Sequence, residues 1–405
     1  MGSRSASNGM KILMISKYPP IEGGVSSRNY WLAKALGDRG IEVSVITNAL
    51  ACEEEWRAGL DMGDVASLKM HQPKNVFFYS LKDEPPFHIP YSQGYLSRLV
   101  NLGLKVIGER GADVIYSHYL EPYAAAGFIL KKITGLPLVI RHAGSDIYRI
   151  YKDKDYRYFM SEVIRGADAL LYSSVFDEMS SLLKLDRKKL IRPPYGILDH
   201  SVFSPEGEKF NFDKYGVKTP HGIPIVAYLG KSTANKGIEE AINALSGLKQ
   251  DFRFVFVSGG GGSEHFMSRA KNKLAGKFIH LPFIPPWEVP ALMRFSAAVL
   301  NLENKFPIPI HGPIQPYEAI ATGVPLILSG EMFGKIAPLF PGTASKFTVV
   351  ENPQETDKLL TAFQKLFSDS KQSREDAKKI REEFLTRNHW EKYVDFHISL
   401  FHSLC

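Results

Sequence analysis

The sequence predicts an α/β protein made of two similar, doubly wound, Rossmann-like domains. Short apolar runs alternate with helical patterns along the whole chain, which is typical of βαβ units and parallel sheets. The chain has 405 residues, and a single hydrophobic core usually stops growing at ~250–300 residues. The alternation lapses once, over the polar, Pro- and Gly-containing stretch 198–222. These observations predict two sheet-forming halves joined by a linker.

The apolar runs place the strands in order along each half. The first half contains a helical pattern over Ser26 to Arg39, and Gly40 follows it in the position where a left-handed cap is expected. From these patterns we predict a tag or disordered tail at 1–9, domains at 10–200 and 201–385, and an amphipathic C-terminal helix within 386–405. The predicted strand starts are Lys11, Glu42, Val76, Asp113, Pro137, Ala169 and Lys189, then Pro224, Phe252, Phe278, Ala297, Pro325 and Lys346.

Composition and charge narrow the class of protein. The apolar content of 44% and the charged content of 23% are those of an ordinary globular protein. Two cysteines, Cys52 and Cys405, have no metal or redox spacing and suit a reducing compartment. No apolar run reaches the ~18–20 residues of a membrane span, and no leader pattern precedes the first strand. The sequence therefore predicts a cytoplasmic location.

The net charge of +7 raises two partner hypotheses, nucleic acid and an anionic membrane surface. The basic residues are spread along the chain and form no recognisable nucleic-acid motif. We therefore expect no nucleic-acid partner. A weak peripheral attraction to the inner face of a membrane fits better, with scattered solvated lysines as the alternative.

The stretch 306–330 predicts a ligand-binding loop, a short helix and a buried strand. Pro316 suits the first turn of a helix, and Gly323 suits its left-handed end. Glu318 lies in that first turn, where backbone N–H groups are unpaired and a flexible loop precedes them. Glu318 therefore either serves helix electrostatics or contacts a nucleotide.

Candidate ligand-binding residues also follow three strands of the first half. Gly23 and Gly24 open a helix after the first strand, so the backbone there can approach a ligand or simply turn. His118 and His142 each end a strand, and Gly-Ser-Asp with Asp146 follows His142 one residue later. Both histidines should lie at the carboxyl edge of the sheet, which is where doubly wound sheets bind ligands. Packing roles are the alternative for each.

The first strand of the second half leads into a loop with two cations. Gly230 and Lys231 begin this loop, and Lys236 follows five residues later, before a glycine and a helix. Two ammonium groups beside a flexible turn suit a pyrophosphate, whose charge must be balanced. Gly259 begins another glycine-rich turn after the next strand. Solvated lysines and simple turns are the alternatives.

Taken together, these motifs resemble glycosyltransferase family 4, whose members have the GT-B fold of two Rossmann-like domains facing across a cleft. The stretch "PYEAIATGVPLI" resembles the family's nucleotide-sugar loop, and the resemblance implies that Glu318 holds the donor ribose. It also implies that Gly23 and Gly24 border the donor diphosphate, and that Lys231 and Lys236 stand where the family has arginine and lysine. The C-terminal helix should then pack back on the first domain.

The resemblance implies catalytic roles for His142, Asp146 and Lys236, with His118, Gly230 and Gly259 among the binding residues. The family has a second glutamate eight residues before the ribose contact, but here that position is Ile310. The nearest candidates to hold the donor sugar are His311 and the backbone N–H groups of Gly312 and Ile314.

We therefore expect a retaining, metal-independent hexosyltransferase without a cofactor. It would move a hexose or modified sugar from a UDP-, GDP- or dTDP-sugar to a hydroxyl of a glycan, glycolipid or small molecule. In such enzymes the departing diphosphate takes the proton of the acceptor. Two other classes stay open: a sugar-nucleotide epimerase or phosphorylase on the same fold, and a non-catalytic protein that binds nucleotide sugars or membranes.

Overall fold

The computed structural model of the protein describes residues 9–50, 71–82, 95–172, 186–259, 262–308 and 312–405. These residues form two compact units. The first unit holds the described residues up to Pro194 together with the C-terminal segment Glu391–Cys405. The second unit holds the described residues of Tyr195–Trp390.

The first unit is built on a seven-stranded parallel sheet with the strand order β3-β2-β1-β4-β5-β6-β7. Its strands are β1 Lys11–Ser16, β2 Glu42–Leu50, β3 Val76–Lys82, β4 Val114–His118, β5 Leu138–Arg141, β6 Ala169–Leu171 and β7 Leu190–Ile191. The helices between them are α1 Gly24–Asp38, α2 Tyr95–Arg110, α3 Ala125–Thr134, α4 Gly144–Lys152 and α5 Lys154–Arg165.

The second unit repeats this plan with a six-stranded parallel sheet of order β10-β9-β8-β11-β12-β13. Its strands are β8 Ile225–Leu229, β9 Arg253–Val257, β10 Phe278–Leu281, β11 Ala298–Asn301, β12 Leu326–Ser329 and β13 Thr348–Val350. Its helices are α6 Ile238–Ser246, α7 Ser263–Leu274, α8 Val289–Phe295, α9 Gln315–Ala321, α10 Gly330–Ile336, α11 Thr356–Ser368 and α12 Ser370–Arg387.

The last helix, α13 Trp390–Leu404, returns to the first unit from Glu391 onward. Arg39 at the end of α1 forms ion pairs with Glu391 and Asp395 of α13. The ring of Tyr116 on β4 packs edge-on against Phe401, with centroids 5.9 Å apart. Helix α13 therefore covers part of the sheet beside α1.

The strands are apolar along their length because helices cover both faces of each parallel sheet. The four residues Ile12 to Ile15 of β1, for example, are at most 1% exposed. Each unit has its own cluster of buried apolar side chains around its sheet. Burial on both faces explains why these strands are continuous apolar runs in the sequence.

The predicted fold class is confirmed, since both sheets are parallel and both have the 3-2-1-4-5-6 order of Rossmann-like domains. Each of the thirteen strands starts within two residues of its predicted start. Gly40 has a φ of +84°, as expected for a residue after a helix end. In this arrangement the order of strand addition reverses between β1 and β4, and again between β8 and β11. Ligands of such sheets bind at the carboxyl ends of those strands.

Across the described residues, no helix is both long and apolar enough to cross a membrane.

Candidate functional site

The loop after β1 leads into α1 through the predicted glycine pair. Gly23 has a φ of +123°, a conformation that side chains with a Cβ rarely adopt, and Gly24 is the exposed first residue of α1. The backbone carbonyl of Gly23 accepts the N–H of Ser27 at 3.0 Å, which closes the first turn of the helix. The glycine at position 23 is thus required by backbone geometry. Its contact with a ligand stays a prediction.

His118 ends β4 at the point where the strand order reverses. Asn29 of α1 donates its amide N–H to Ser16 Oγ and to the carbonyl of Lys17, so its Oδ1 faces the Nδ1 of His118 at 3.0 Å. His118 Nδ1 must then carry the proton. Burial, followed by the charges of Arg141 and Arg28, lowers the pKa of His118 well below its usual value. The imidazole is therefore neutral, with Nε2 as a hydrogen-bond acceptor.

His142 follows β5 and belongs to the same edge of the sheet. Its Nδ1 lies 3.1 Å from the carbonyl oxygen of Ala143, to which it donates. Burial lowers the pKa of His142 to about 4, although the Ala143 hydrogen bond opposes this. His142 is therefore also neutral near pH 7, and it is close enough to His118 to influence its pKa.

Asp146 lies in the first turn of α4 and is 1% exposed. Its carboxylate accepts the backbone N–H groups of Leu120 at 3.0 Å, Ala143 at 3.1 Å and Ile147 at 2.8 Å. Burial raises the pKa of Asp146 to about 7, while these hydrogen bonds lower it. Asp146 therefore links the loop after β4 to the loop after β5 through hydrogen bonds to both. A catalytic role for Asp146 stays a prediction.

In the second unit, the loop after β8 is shaped by two glycines. Gly230 has a φ of +143°, and its N–H donates to Val257 at 3.0 Å. Gly237 has a φ of +69°, and a Cβ there would lie 2.5 Å from the Cβ of Leu302. We call the segment from Gly230 to Gly237, which carries Lys231 and Lys236, the cation loop. It packs closely against the segment after β11, and this close approach requires glycine at position 237. Lys231, at the start of the loop, is exposed.

Lys236 meets a residue that the sequence analysis missed. Glu303 follows β11 by two residues, has a side chain that is 1% exposed, and pairs with the ammonium group of Lys236. It also pairs with Lys335 of α10 at 2.9 Å. Both ammonium groups approach the ring of Phe306, at 4.4 and 5.9 Å from its centroid. We call Lys236, Glu303 and Lys335 the charge triad. Lys335 forms a further pair with Glu331 at 2.9 Å.

The sequence contained a signal for Glu303. The resemblance pointed to the position eight residues before Glu318, where Ile310 stands, whereas Glu303 comes directly after the predicted strand that starts at Ala297. An acidic residue two positions beyond a buried strand lies at the carboxyl edge of the sheet, where ligands bind. Lys335 gave no comparable signal, because its approach to the triad depends on how α10 leaves β12.

Glu318 lies on α9, as predicted, and is 6% exposed. Burial raises the pKa of its carboxyl group to about 7. Among the described residues, no hydrogen bond or ion pair joins this carboxyl group to the charge triad. Gly312 is exposed before the helix, and Ile314 is the residue that precedes its first turn. Ile310 and His311 lie outside the described residues.

Gly259 follows β9 in the turn next to Gly230. The neighbouring Ser258 donates its hydroxyl to the carbonyl of Gly230 at 2.7 Å, which joins the ends of β8 and β9. Residues 260 and 261 of the glycine run lie outside the described residues. Gly262 comes close to the cation loop, since a Cβ there would lie 2.3 Å from the carbonyl oxygen of Ser232.

Comparison with known proteins gives consistent results for both units. Residues 23–178 match the family described as "Glycosyl transferase 4-like domain". Residues 210–383 match the family described as "Glycosyl transferases group 1". An uncharacterized glycosyltransferase of Methanocaldococcus jannaschii is 24% identical over 253 residues, which is 62% of this chain and 60% of that relative. The chain thus matches less than two thirds of the length of that relative.

Solved structures resemble nearly the whole chain. Sucrose-phosphate synthase of Thermosynechococcus elongatus aligns with a TM-score of 0.66 and 18% identity, covering 98% of this chain and 99% of that one. Anabaena HepE in complex with UDP-glucose aligns with a TM-score of 0.67 and 16% identity, covering 97% of this chain and all of that one. The two family matches and these folds show that the chain belongs to the family 4-like glycosyltransferases of the GT-B fold.

Proposed function

We propose that the protein is a retaining glycosyltransferase that moves a hexose or modified sugar from a nucleotide-diphosphate sugar to a hydroxyl acceptor without a metal ion. The observation that carries this proposal is the charge triad at the carboxyl edge of the second sheet. Lys236 comes from the loop after β8, and Glu303 follows β11. These are the two neighbouring strands between which the strand order reverses, where sheets of this order bind nucleotides.

The triad itself carries an excess of one positive charge, because two ammonium groups share the buried carboxylate of Glu303, and the more exposed Glu331 offsets part of it at Lys335. Lys231 adds an exposed cation in the same loop. A diphosphate leaving group gains negative charge as the glycosidic bond breaks, and fixed cations stabilise that charge in a dry site. Glu303 would hold Lys236 and Lys335 in place before the donor arrives, which lowers the ordering required at the moment of reaction.

Glu318 would accept hydrogen bonds from the ribose hydroxyls of the donor. Its carboxyl group is buried, and a buried carboxylate is costly unless it finds hydrogen-bond donors. Two ribose hydroxyls supply such donors. Burial already raises the pKa of this group to about 7, so a ligand that favours the ionised form has a direct effect on its charge.

The first unit would bind the acceptor. Its sheet edge presents the neutral imidazole of His118, whose Nε2 accepts a hydrogen bond and therefore suits a hydroxyl group. The glycine pair Gly23 and Gly24 lies in the loop after the neighbouring strand β1. Because burial holds the pKa of His118 well below its usual value, its imidazole is a weak base, which agrees with transfer of the acceptor proton to the departing diphosphate instead.

The solved relatives support a nucleotide-sugar donor. HepE of Anabaena has been solved with UDP-glucose, with UDP and glucose, and with UDP alone. We take a UDP-sugar as the first donor to test, with GDP- and dTDP-sugars next. The net charge of +7 supports a weak peripheral attraction to anionic membranes at the cytoplasmic face.

A donor screen tests the proposal. The full chain is mixed with UDP-, GDP-, dTDP- and ADP-sugars, and thermal unfolding is recorded with and without a chelator. A true donor at ~100 times its dissociation constant should stabilise the chain by about 2.7 kcal/mol. It should also be hydrolysed slowly, with retention at the anomeric carbon. Release of an altered sugar nucleotide would indicate an epimerase, and dependence on phosphate a phosphorylase. A chain that no nucleotide sugar stabilises would contradict the proposal.

A further inference from the structure

Two arginines meet on one tyrosine at the carboxyl edge of the first sheet. Arg28 lies one turn into α1, and Arg141 ends β5. Their guanidinium carbons lie 5.1 and 5.4 Å from the centroid of the Tyr393 ring on α13. Arg141 also donates to the hydroxyl of Tyr393 at 2.6 Å. Both arginine residues have intermediate exposure, and the Nε of Arg28 is buried.

The cluster is positively charged. Arg141 forms no ion pair with a carboxylate of the described residues, and its hydrogen bond goes to a phenol. Burial lowers the pKa of Arg28, and repulsion by the positive charge of Arg141 lowers it further. Burial raises the pKa of Tyr393, but the two arginines outweigh this and leave that pKa below its usual value.

The two nearby histidines are neutral and do not change the charge of this cluster. His118 pairs with Arg141 in the register between β4 and β5, and His397 packs against Tyr393 with ring centroids 4.3 Å apart. Burial lowers the pKa of both imidazoles, to about 3 for His397, so both are neutral near pH 7. Two like charges held together at low solvent exposure favour the binding of an anion.

We propose that Arg28 and Arg141 bind a carboxylate or phosphate group carried by the acceptor. Guanidinium groups match both oxyanions in shape, and each can donate two parallel hydrogen bonds. His118 lies beside Arg141 on the neighbouring strand, and Asn29, which holds His118, follows Arg28 in α1. An anionic group on the arginines would therefore bring a nearby hydroxyl of the same molecule toward His118.

That the anion belongs to the acceptor depends on the proposed function, whereas anion binding by the arginines does not. The experiment separates the two. The full chain is first saturated with UDP so that the charge triad is occupied. Binding of glucose 6-phosphate, glucuronate and methyl glucoside is then measured by calorimetry. If no nucleotide binds, the same titrations are made on the variant with both Lys236→Ala and Lys335→Ala.

We expect at least one anionic sugar to bind ten times more tightly than methyl glucoside, and the better of the two identifies phosphate or carboxylate. Arg141→Gln should abolish the preference, and Arg28→Lys should weaken it while keeping the charge. Arg149→Gln is the control, since Arg149 is 57% exposed and pairs with Glu121. Should Arg141→Gln not fold, Arg141→Lys replaces it and should also weaken the preference.

Equal binding of the three sugars, or an equal loss in the Arg149→Gln control, would overturn the inference. Binding of UDP without any preference for anionic sugars would contradict only this inference. A preference for anionic sugars without nucleotide binding would support the arginine site and contradict the proposed function.

Discussion

Replacing Glu303 by glutamine tests the charge triad most directly. The change keeps the shape of the side chain but removes the negative charge between two ammonium groups, and Glu303 is 1% exposed. Removing one partner of a buried ion pair typically costs 3–5 kcal/mol. The Lys236 and Lys335 side chains keep 18% and 19% of their surface exposed, so they can regain part of their hydration. We therefore expect a loss near the lower end, about 3 kcal/mol.

Differential scanning calorimetry of the full chain would measure this loss. For a unit of this size, 1 kcal/mol shifts the unfolding temperature by ~2–4 °C, so the second unit should unfold roughly 6–12 °C earlier. In the Glu303→Gln variant Lys236 lacks its counter-charge and Lys335 keeps only the more exposed Glu331, so a nucleoside diphosphate should raise the unfolding temperature more than it does in the parent protein. This larger rescue would show that Glu303 acts mainly by balancing the charge of the lysines and does not contact the donor.

Glu331→Gln provides the matched control. Glu331 pairs with the same Lys335 at 2.9 Å but is 26% exposed, so its loss should cost less than about 1 kcal/mol. Equal effects of the two substitutions would show that burial of the triad does not matter. A Glu303→Gln variant as stable as the parent would refute the reasoning, and complete loss of nucleotide binding would indicate that Glu303 contacts the donor itself.

Two further predictions concern catalysis and pH. Lys236→Ala should lower kcat ~100-fold and change donor affinity much less, because a cation on the leaving group acts mainly in the transition state. Lys358→Ala, which removes a lysine that is 65% exposed on α11, is the control, and a rise in KM alone would make Lys236 a binding residue. Burial raises the pKa of Glu318 to about 7, so its carboxylate form increases between pH 6 and 8. Donor affinity, measured by calorimetry with a nucleotide sugar that does not titrate in this range, should therefore rise about tenfold over it. Glu318→Gln should abolish this pH dependence, and a flat profile in the parent would contradict the ribose assignment.

The fold could be predicted from the sequence because local signals and global architecture agree. A parallel strand covered by helices on both faces must be apolar along its length, so runs such as Lys11–Ser16 indicate both the strand and its burial. Glycine after a helix, as at Gly40, marks the helix end through a backbone angle that other residues avoid. The same reasoning placed Glu318 in the first turns of a short helix before a buried strand.

The sequence alone also determined which loops follow the strands, and therefore that His118, His142 and Lys236 lie at the carboxyl edges of their sheets. It could not determine what those side chains contact, because each contact joins segments that are far apart in the chain. Asp146 accepts a hydrogen bond from Leu120, 26 residues earlier, and this contact depends on β4 and β5 lying side by side.

The charges of the two sites were decided only by the tertiary structure. Lys236 and Glu303 are 67 residues apart, and they meet because β8 and β11 are neighbours in the sheet. Arg141 meets Tyr393 across 252 residues because α13 returns to the first unit. Spacing along a chain reports local geometry only, whereas the balance of charge at a site depends on strand order and on where a distant helix packs.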